Sequence, residues 1–248
     1  SNVRRPDMLG SILITAATSA LALSIVKGSE WGWSSARVVG LLTFTVVGTG
    51  FLARRISRHE DPILPLPLLA IPSFRVAISS LFLFGLGFFS SMLVVVLYLT
   101  EMAGYSTVRT GFGVSVLAIM AFTTANFSGR LADRFGHRRI AVPGMCSFIL
   151  GCLWLYQNAG ANPSFFVDVF PALVLMGAGI GSGPTLLSAA AVSEVDPSNF
   201  SVAGAVAQTA RQLSGAIGIS IAVAISGSNA DEDAFRATFL YLTIVAAM

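Results

Sequence analysis

Charge is scarce in this chain of 248 residues. Charged residues make up 11% of it, against about 25% in an average soluble domain. Hydrophobic residues make up 54%, and the mean hydropathy is +0.79. So few charges cannot coat a soluble surface of this size, whereas a surface in contact with lipid needs no such coat. The composition therefore excludes a soluble domain and predicts an integral membrane protein.

Cysteine and histidine are nearly missing as well. The two cysteines, Cys146 and Cys152, lie in one apolar run, at a spacing that puts them on different faces of a helix and implies neither a disulfide nor a metal site. His59 and His137 fall between apolar runs and are too few to hold a metal ion. No P-loop motif is present, so the sequence points to no enzyme, no cofactor and no transport driven by ATP.

The basic residues lack the pattern of a nucleic-acid-binding protein. Such binding needs them gathered on one face, and here they form short clusters between apolar runs, which is typical of membrane topology. If the N-terminus is cytoplasmic, Lys27, Arg37, Arg109 and Arg236 fall outside and Arg211 lies within a run. The inside set is larger: Arg4, Arg5, Arg54, Arg55, Arg58, Arg75, Arg130, Arg134, Arg138 and Arg139. This bias predicts a multi-pass protein of the plasma (inner) membrane with a cytoplasmic N-terminus.

Long apolar runs are what the chain has in abundance. Eight of them approach the length of about 20 residues that crosses a bilayer: 8–27, 37–54, 76–99, 109–129, 140–158, 166–191, 202–226 and 236–248. Because lipid satisfies no backbone polar group, such runs must be helices, and the alternating segments of a barrel are missing. The first run could imitate a signal peptide or a twin-arginine leader, but no small-residue cleavage site follows it. The predicted fold class is all-α, a polytopic membrane helix bundle.

A proline-rich break divides the runs into two and six. Residues 1–56 hold two transmembrane helices, residues 57–74 form a cytoplasmic connector, and residues 75–248 form a six-helix bundle. The prolines of the connector are Pro62, Pro65, Pro67 and Pro72. Together they forbid a continuous helix. The last run stops at Met248 and is too short to span, so we expect a truncated last helix and a longer parent polypeptide.

The most specific motif lies between the fourth and fifth runs. It reads Gly129-Arg130-Leu131-Ala132-Asp133-Arg134-Phe135-Gly136-His137-Arg138-Arg139. We expect Gly129 to end a helix, Gly136 to allow a tight turn, and Asp133 to face a helix N-terminus, whose dipole favours an anion. The arginines would hold this loop at the inner headgroups. A plain basic loop that only obeys the positive-inside rule is the alternative.

This motif resembles the signature loop of the major facilitator superfamily, although His137 stands where the family usually has a basic residue. Further residues resemble the drug:proton antiporter family with fourteen spans. They are Pro6-Asp7, Trp31-Gly32-Trp33, Tyr98-Leu99, Gly104-Tyr105-Ser106 and Arg211-Gln212-Leu213. Thr100-Glu101 and Ser214 depart from that family's pattern. The resemblance implies two extra transmembrane helices followed by the C-terminal six-helix half of a major facilitator fold.

The same resemblance implies a secondary active transporter that couples the efflux of small amphipathic compounds or drugs to protons by alternating access. Its partners would be the substrate, protons, the lipid bilayer and a missing N-terminal bundle of the same polypeptide. Every acidic residue lies at the end of a run or between runs. We therefore expect the intramembrane carboxylate that proton-driven carriers usually need in the missing bundle. A non-transporting membrane sensor or scaffold is the alternative.

The sixth run is rich in small residues. Gly177, Gly179, Gly181 and Gly183 precede Pro184, and glycines four residues apart let helices pack closely. A dinucleotide-binding loop is excluded because the glycines lie inside a membrane run and follow no strand. The proline allows a bend, so the run serves either helix packing alone or bending during alternating access.

The seventh run contains the charged residue that lies deepest in the predicted membrane, Arg211. Residues spaced four, three, four, three and four apart form one stripe with it: Gly204, Gln208, Arg211, Gly215, Gly218 and Ala222. Because arginine in lipid is costly, this stripe and the neighbouring Gln212 must face protein or a water-filled cavity. A structural clamp on carbonyl groups and a direct role in transport both remain open.

Aromatic side chains mark the third run. Phe88, Phe89 and Met92 are candidates for a greasy substrate cavity, and core packing or lipid contact is the alternative. In the fourth run, Asn126 is interpreted as a polar contact between helices.

Overall fold

The computed structural model describes residues 8–56, 68, 70–160, 163–192, 195–196, 199–226 and 231–247. Regular structure in these ranges is helical throughout, as predicted. The α-helices are α1 (Met8–Trp31), α2 (Ala36–Ile56), α3 (Pro72–Leu97), α4 (Thr107–Phe135), α5 (His137–Asn158), α6 (Phe170–Val192), α7 (Phe200–Ser226) and α8 (Glu232–Ala247). Every predicted apolar run coincides with one of them.

Four of the described helical segments are long and apolar enough to cross a membrane. They are Pro72–Met102, Thr107–Phe135, Arg139–Asn158 and Phe165–Ala189. Shorter apolar stretches, Ile12–Gly28 and Ala36–Leu52, lie in α1 and α2. Several such segments in one chain make this a multi-pass membrane protein.

The ends of the helices follow local chemistry. Pro72 stands at the start of α3, where its missing N–H costs no hydrogen bond. Ser106 caps α4, its Oγ accepting from the backbone N–H of Arg109 at 3.4 Å, and Asp231 caps α8 through Ala234. Because α3 begins at Pro72, its first turn lies inside the connector expected at residues 57–74. Residues 57–67 and 69 of that connector lie outside the described part of the chain.

The first two helices form a hairpin that is attached to the bundle. The Trp33 ring covers Gly28, where an added Cβ would lie 2.7 Å from its Cη2 atom. Thr45 Oγ1 donates to the Ala17 carbonyl of α1 at 3.3 Å. The helix α1 packs on α7, and α7 therefore joins the hairpin to the remaining helices.

The helix α6 lies at the centre of the six-helix bundle. It packs on α3, α4 and α5, while α3 also packs on α7 and α8, and α5 packs on α8. The core contains an aromatic cluster in which the Tyr98 ring meets Phe235 at 5.4 Å and Phe239 at 5.5 Å between ring centroids. The helix α4, by contrast, leaves a long face uncovered that includes Phe112, Ile119 and Phe122.

Candidate functional site

A polar cluster on α7 contains Arg211, the charged residue that lies deepest in an apolar run of the sequence. Arg211 is half-buried, and its Nη2 donates to Gln208 Oε1 at 2.8 Å. Its Nε is buried without a hydrogen-bond partner in the described part of the chain. The guanidinium has five donors, so it keeps donors for a further anion or carbonyl.

The backbone beneath Arg211 is held tightly against α3. Ser214 Oγ donates to the Arg211 carbonyl at 2.7 Å. A Cβ added at Gly85 of α3 would lie 1.9 Å from that hydroxyl oxygen and 3.2 Å from the Arg211 carbonyl oxygen. Only glycine at this position of α3 allows the two helices to approach so closely. The base of the arginine side chain is therefore positioned by a rigid helix contact.

The predicted stripe on α7 divides into two parts. Gly215 and Gly218 are buried, and an added Cβ would lie 2.6 Å from Phe89 Cδ2 and 2.4 Å from the Leu86 carbonyl oxygen, respectively. Gly204, Gln208 and Gln212 are exposed. The part of the stripe that follows Arg211 in the sequence packs on α3, and the part that precedes Arg211 is uncovered. Arg211 lies between the two parts.

The signature motif is mostly helical. The helix α4 continues to Phe135, so the expectation that Gly129 ends a helix is wrong, because nothing at that position interrupts the backbone hydrogen bonds. Gly136 alone separates α4 from α5, with φ +93° and its N–H donating to the Ala132 carbonyl. The tight turn predicted there is confirmed.

The charged side chains that the structure describes in the motif are exposed. Asp133, Arg134 and Arg139 are exposed, and Arg134 lies 5.4 Å above the centre of the Phe135 ring. The side chain of Arg138 lies outside the described part of the structure. A charge–dipole contact of Asp133 with the start of α5 stays a prediction.

The glycines of α6 serve three different neighbours. An added Cβ would lie 2.6 Å from the Leu117 carbonyl oxygen at Gly177 and 2.2 Å from the Ala121 carbonyl oxygen at Gly181, both on α4. At Gly179 it would lie 2.6 Å from the Gly144 carbonyl oxygen of α5, and at Gly183 3.1 Å from a Phe84 ring atom of α3. The close packing expected of these residues is present, and α6 runs on through Pro184. Bending at the proline stays a prediction.

The aromatic candidates of α3 take part in packing. The Phe88 ring lies 4.8 Å from that of Phe89 and 6.1 Å from that of Phe84, while Phe89 covers Gly215. Met92 is 37% exposed. Phe89 therefore fills a contact between α3 and α7, Phe88 packs against the core of the bundle, and a cavity at this position stays a prediction.

Asn126 does not link helices through the hydrogen bond that the structure describes. Its Nδ2 donates to the Phe122 carbonyl of its own helix at 2.8 Å, and the side chain is exposed. Within the described part of the chain Asn126 therefore bonds only its own helix, and its role as a polar contact between helices stays a prediction.

Sequence reasoning missed several close helix contacts that hold the site. Gly144 meets Ser182, where an added Cβ would lie 1.8 Å from the hydroxyl oxygen. Ser147 Oγ donates to the Leu175 carbonyl of α6 at 2.8 Å, and Gly151 meets Met176 at 2.5 Å by the same measure. Small residues on α5 at a spacing of three and four are the signal that was available.

Comparison with known proteins gives a consistent result. The model of the Major Facilitator Superfamily matches residues 7–219. The "Multidrug resistance protein Stp" of Mycobacterium tuberculosis is 26% identical over 88% of this chain and 40% of its own length. The "Tetracenomycin C resistance and export protein" of Streptomyces glaucescens is 26% identical over 87% and 40%. The "Methylenomycin A resistance protein" of Streptomyces coelicolor is 26% identical over 94% and 49%. The chain therefore spans less than half the length of these relatives.

Proposed function

Because the chain belongs to the Major Facilitator Superfamily, we propose that it is part of a secondary transporter that exports small amphipathic compounds or drugs in exchange for protons. The observation that carries the proposal is the similarity of nearly the whole chain to resistance and export proteins. This is a family of transporters rather than enzymes. Nothing in the comparisons supports a non-transporting sensor or scaffold.

We assign residues 1–56 to two extra transmembrane helices and residues 75–248 to the C-terminal transporter bundle. Two of the matched relatives are more than twice as long, so a second bundle from the same polypeptide is the natural partner. The uncovered face of α4 from Ile119 onward and that of the first half of α7 are the surfaces that this partner would cover. Ile119 and Phe122 of α4 are 61% and 75% exposed, which supports a contact with further apolar surface.

In this proposal the substrate moves through a space between the two bundles, by alternating access. The exposed part of the α7 stripe, with Gln208 and Gln212, would line that space, and Arg211 would bind an anionic group of the substrate or an acid of the partner bundle. A guanidinium suits this role because it stays charged and presents a planar fork of donors. The helix contact at Gly85 keeps it in place.

Orientation and location follow from charge. The basic residues around the Gly136 turn and at the end of α2 would face the cytoplasm, and Arg37, Arg109 and Arg236 would face outward. We therefore place the N-terminus of this segment on the cytoplasmic side of the plasma membrane.

The proposal is tested with the full-length protein in a host that lacks its own drug exporters. Tetracenomycin C, methylenomycin A and lincomycin are suitable probes, since relatives are named for resistance to them. We expect lower accumulation of at least one probe, and a protonophore that collapses the proton gradient should restore accumulation. Unchanged accumulation of an expanded probe panel, at normal membrane expression, would contradict efflux.

A further inference from the structure

An aromatic groove lies at one end of the bundle, between the first turns of α4 and the π-helical turn Phe165–Val169 that precedes α6. Its volume is about 360 Å³. The residues that define its character are Tyr105, Arg109, Phe112, Phe165, Phe166 and Phe170. We refer to it as the α4–α6 groove. It lies apart from the Arg211 cluster, and the positive-inside count places it on the outer side of the membrane.

One end of the α4–α6 groove contains a cation, Arg109. The Arg109 guanidinium carbon lies 3.7 Å from the centre of the Tyr105 ring, within the range of a cation–π contact. Arg109 forms no ion pair with any acid in the described part of the chain. Asp168, in the turn before α6, has its carboxylate engaged by the Ser164 backbone N–H at 2.7 Å. The guanidinium is therefore fixed by an aromatic face and left without a carboxylate.

The rest of the α4–α6 groove is apolar. Phe112 and Phe166 are 75% and 77% exposed, and Phe165 packs edge-on against Phe166 at 5.5 Å. Gly113 makes room for the floor, since an added Cβ would lie 3.1 Å from Phe165 Cε2. Aromatic rings that pack on one another thus form the walls of the groove, and the groove is open on one side.

The depth of these parts matches the layers of a bilayer. Arg109 lies in the first turn of α4, at the level of the headgroups for a membrane-spanning helix. Val116, at the far end of the groove, lies about 10 Å deeper at 1.5 Å per residue. A ligand that fills the groove must therefore have an anionic group at the interface and a hydrocarbon part below it.

We propose that the α4–α6 groove binds an anionic phospholipid, with the phosphate at Arg109 and an acyl chain along Phe112, Phe166 and Phe170. Charge complementarity carries the choice of ligand, because a net negative headgroup meets an arginine that has no acidic partner. A transported compound is the less suitable occupant, since the α4–α6 groove lies at the membrane interface rather than at the midplane where transporters bind substrate. The proposal does not depend on the transport activity.

The test uses the full-length protein in nanodiscs that contain phosphatidylglycerol and phosphatidylcholine, followed by native mass spectrometry of retained lipid. We expect preferential retention of phosphatidylglycerol. Arg109→Gln should lower it about fivefold, the contribution of one arginine near an anionic lipid. The matched control is Arg37→Gln, whose guanidinium lies 5.6 Å from the Trp31 ring on the same expected side but outside the groove. It should leave retention unchanged.

A second measurement identifies the occupant directly. A benzoylphenylalanine placed at Phe166 should crosslink to phospholipid when irradiated in cells. Crosslinking to the protein's own chain or to an added substrate instead would overturn the proposal. Equal retention of the two lipids by the wild type, or equal retention by Arg109→Gln and Arg37→Gln, would overturn it as well.

Discussion

At the scale of single residues, Arg211 is unusual because its guanidinium is only partly hydrogen-bonded. Its charge lies within an apolar segment, yet the described residues offer it an amide oxygen of Gln208 and no carboxylate. The buried Nε has no partner there, which is costly unless another group completes the site. This combination is typical of a binding residue rather than of a structural ion pair.

We predict that Arg211→Lys loses most of the efflux activity. Lysine keeps the charge but lacks the planar fork that can bind Gln208 and a second group together. Hydrogen bonds to charged groups are worth about 1.5–3 kcal/mol, so the efflux rate should fall about tenfold or more at normal membrane expression. Thr209→Ala is the matched control, because that hydroxyl only bonds the Ala205 carbonyl of its own helix. Full efflux by Arg211→Ala would exclude a functional role.

Two glycines of the signature motif have opposite structural roles. Gly136 has φ +93°, a backbone conformation that side chains strongly disfavour. Gly129 is helical, and nothing lies within 4 Å of an added Cβ. We predict that Gly136→Ala lowers the free energy of unfolding by about 1–3 kcal/mol. Gly129→Ala should be neutral or stabilise by up to about 1 kcal/mol through helix propensity.

The measurement for this pair is thermal unfolding of the full-length protein in detergent. A midpoint lowered by both substitutions to the same extent would show that Gly129 also needs to be glycine, which the helical backbone does not require.

At the scale of helices, the bundle depends on close approach between backbones. Glycines of α6 lie so close to carbonyl oxygens of α4 and α5 that an added Cβ would be 2.2–2.6 Å from those oxygens. In lipid the hydrophobic effect does not drive helices together, so such packing supplies much of their attraction. The contacts of α6 therefore position three neighbouring helices.

We predict that Gly181→Ala destabilises the bundle, because its Cβ would lie 2.2 Å from the Ala121 carbonyl oxygen. Overpacking of this kind costs about 1–3 kcal/mol. Gly111→Ala on α4 is the matched control, since an added Cβ there meets nothing within 4 Å. Both variants can be compared by thermal unfolding in detergent. Equal midpoints for Gly181→Ala and the wild type would mean that α6 and α4 are separated by more than the structure indicates.

At the scale of the whole molecule, the described helices leave two surfaces uncovered. One is the apolar face of α4 with Ile119 and Phe122, and the other is the first half of α7 with Gln208 and Gln212. Two of the matched relatives extend over more than twice the length of this chain. In the proposed transporter, these two surfaces are the ones that the remainder of the full-length protein would cover.

We predict that residues 1–248 alone catalyse no substrate-dependent proton flux. All 12 acidic residues lie at the ends of apolar runs or between them, whereas proton coupling usually needs a carboxylate inside the membrane. The measurement is proton movement into liposomes that contain a trapped pH-sensitive dye, with the full-length protein as the positive control. A substrate-dependent proton signal from the 248-residue segment would place the coupling carboxylate within it.

Much of the fold could be predicted because, in lipid, the secondary structure of each apolar run depends on that run alone. An apolar run of sufficient length must be a helix to satisfy its own backbone, so the runs now seen as α1 to α8 were evident one by one. The turn at Gly136 was also predictable, since it depends on one residue's backbone. The prediction for Gly129 was wrong because no residue there forces a helix to end, and the helical backbone continues through the motif.

The faces that the helices present to one another were decided only by the tertiary structure. Most of these segments are apolar all round, because lipid and protein core accept the same side chains, so no polar face indicates the direction of burial. The sequence therefore revealed the glycines of α6 but not their separate partners on α4, α5 and α3. It likewise revealed Arg211 as a cation within an apolar run. Its contact with Gln208, its position above Gly85 and the α4–α6 groove depend instead on how distant segments rotate and meet. The sequence by itself determined the number and type of elements, since those depend on local backbone chemistry, and the assembled bundle determined the sites.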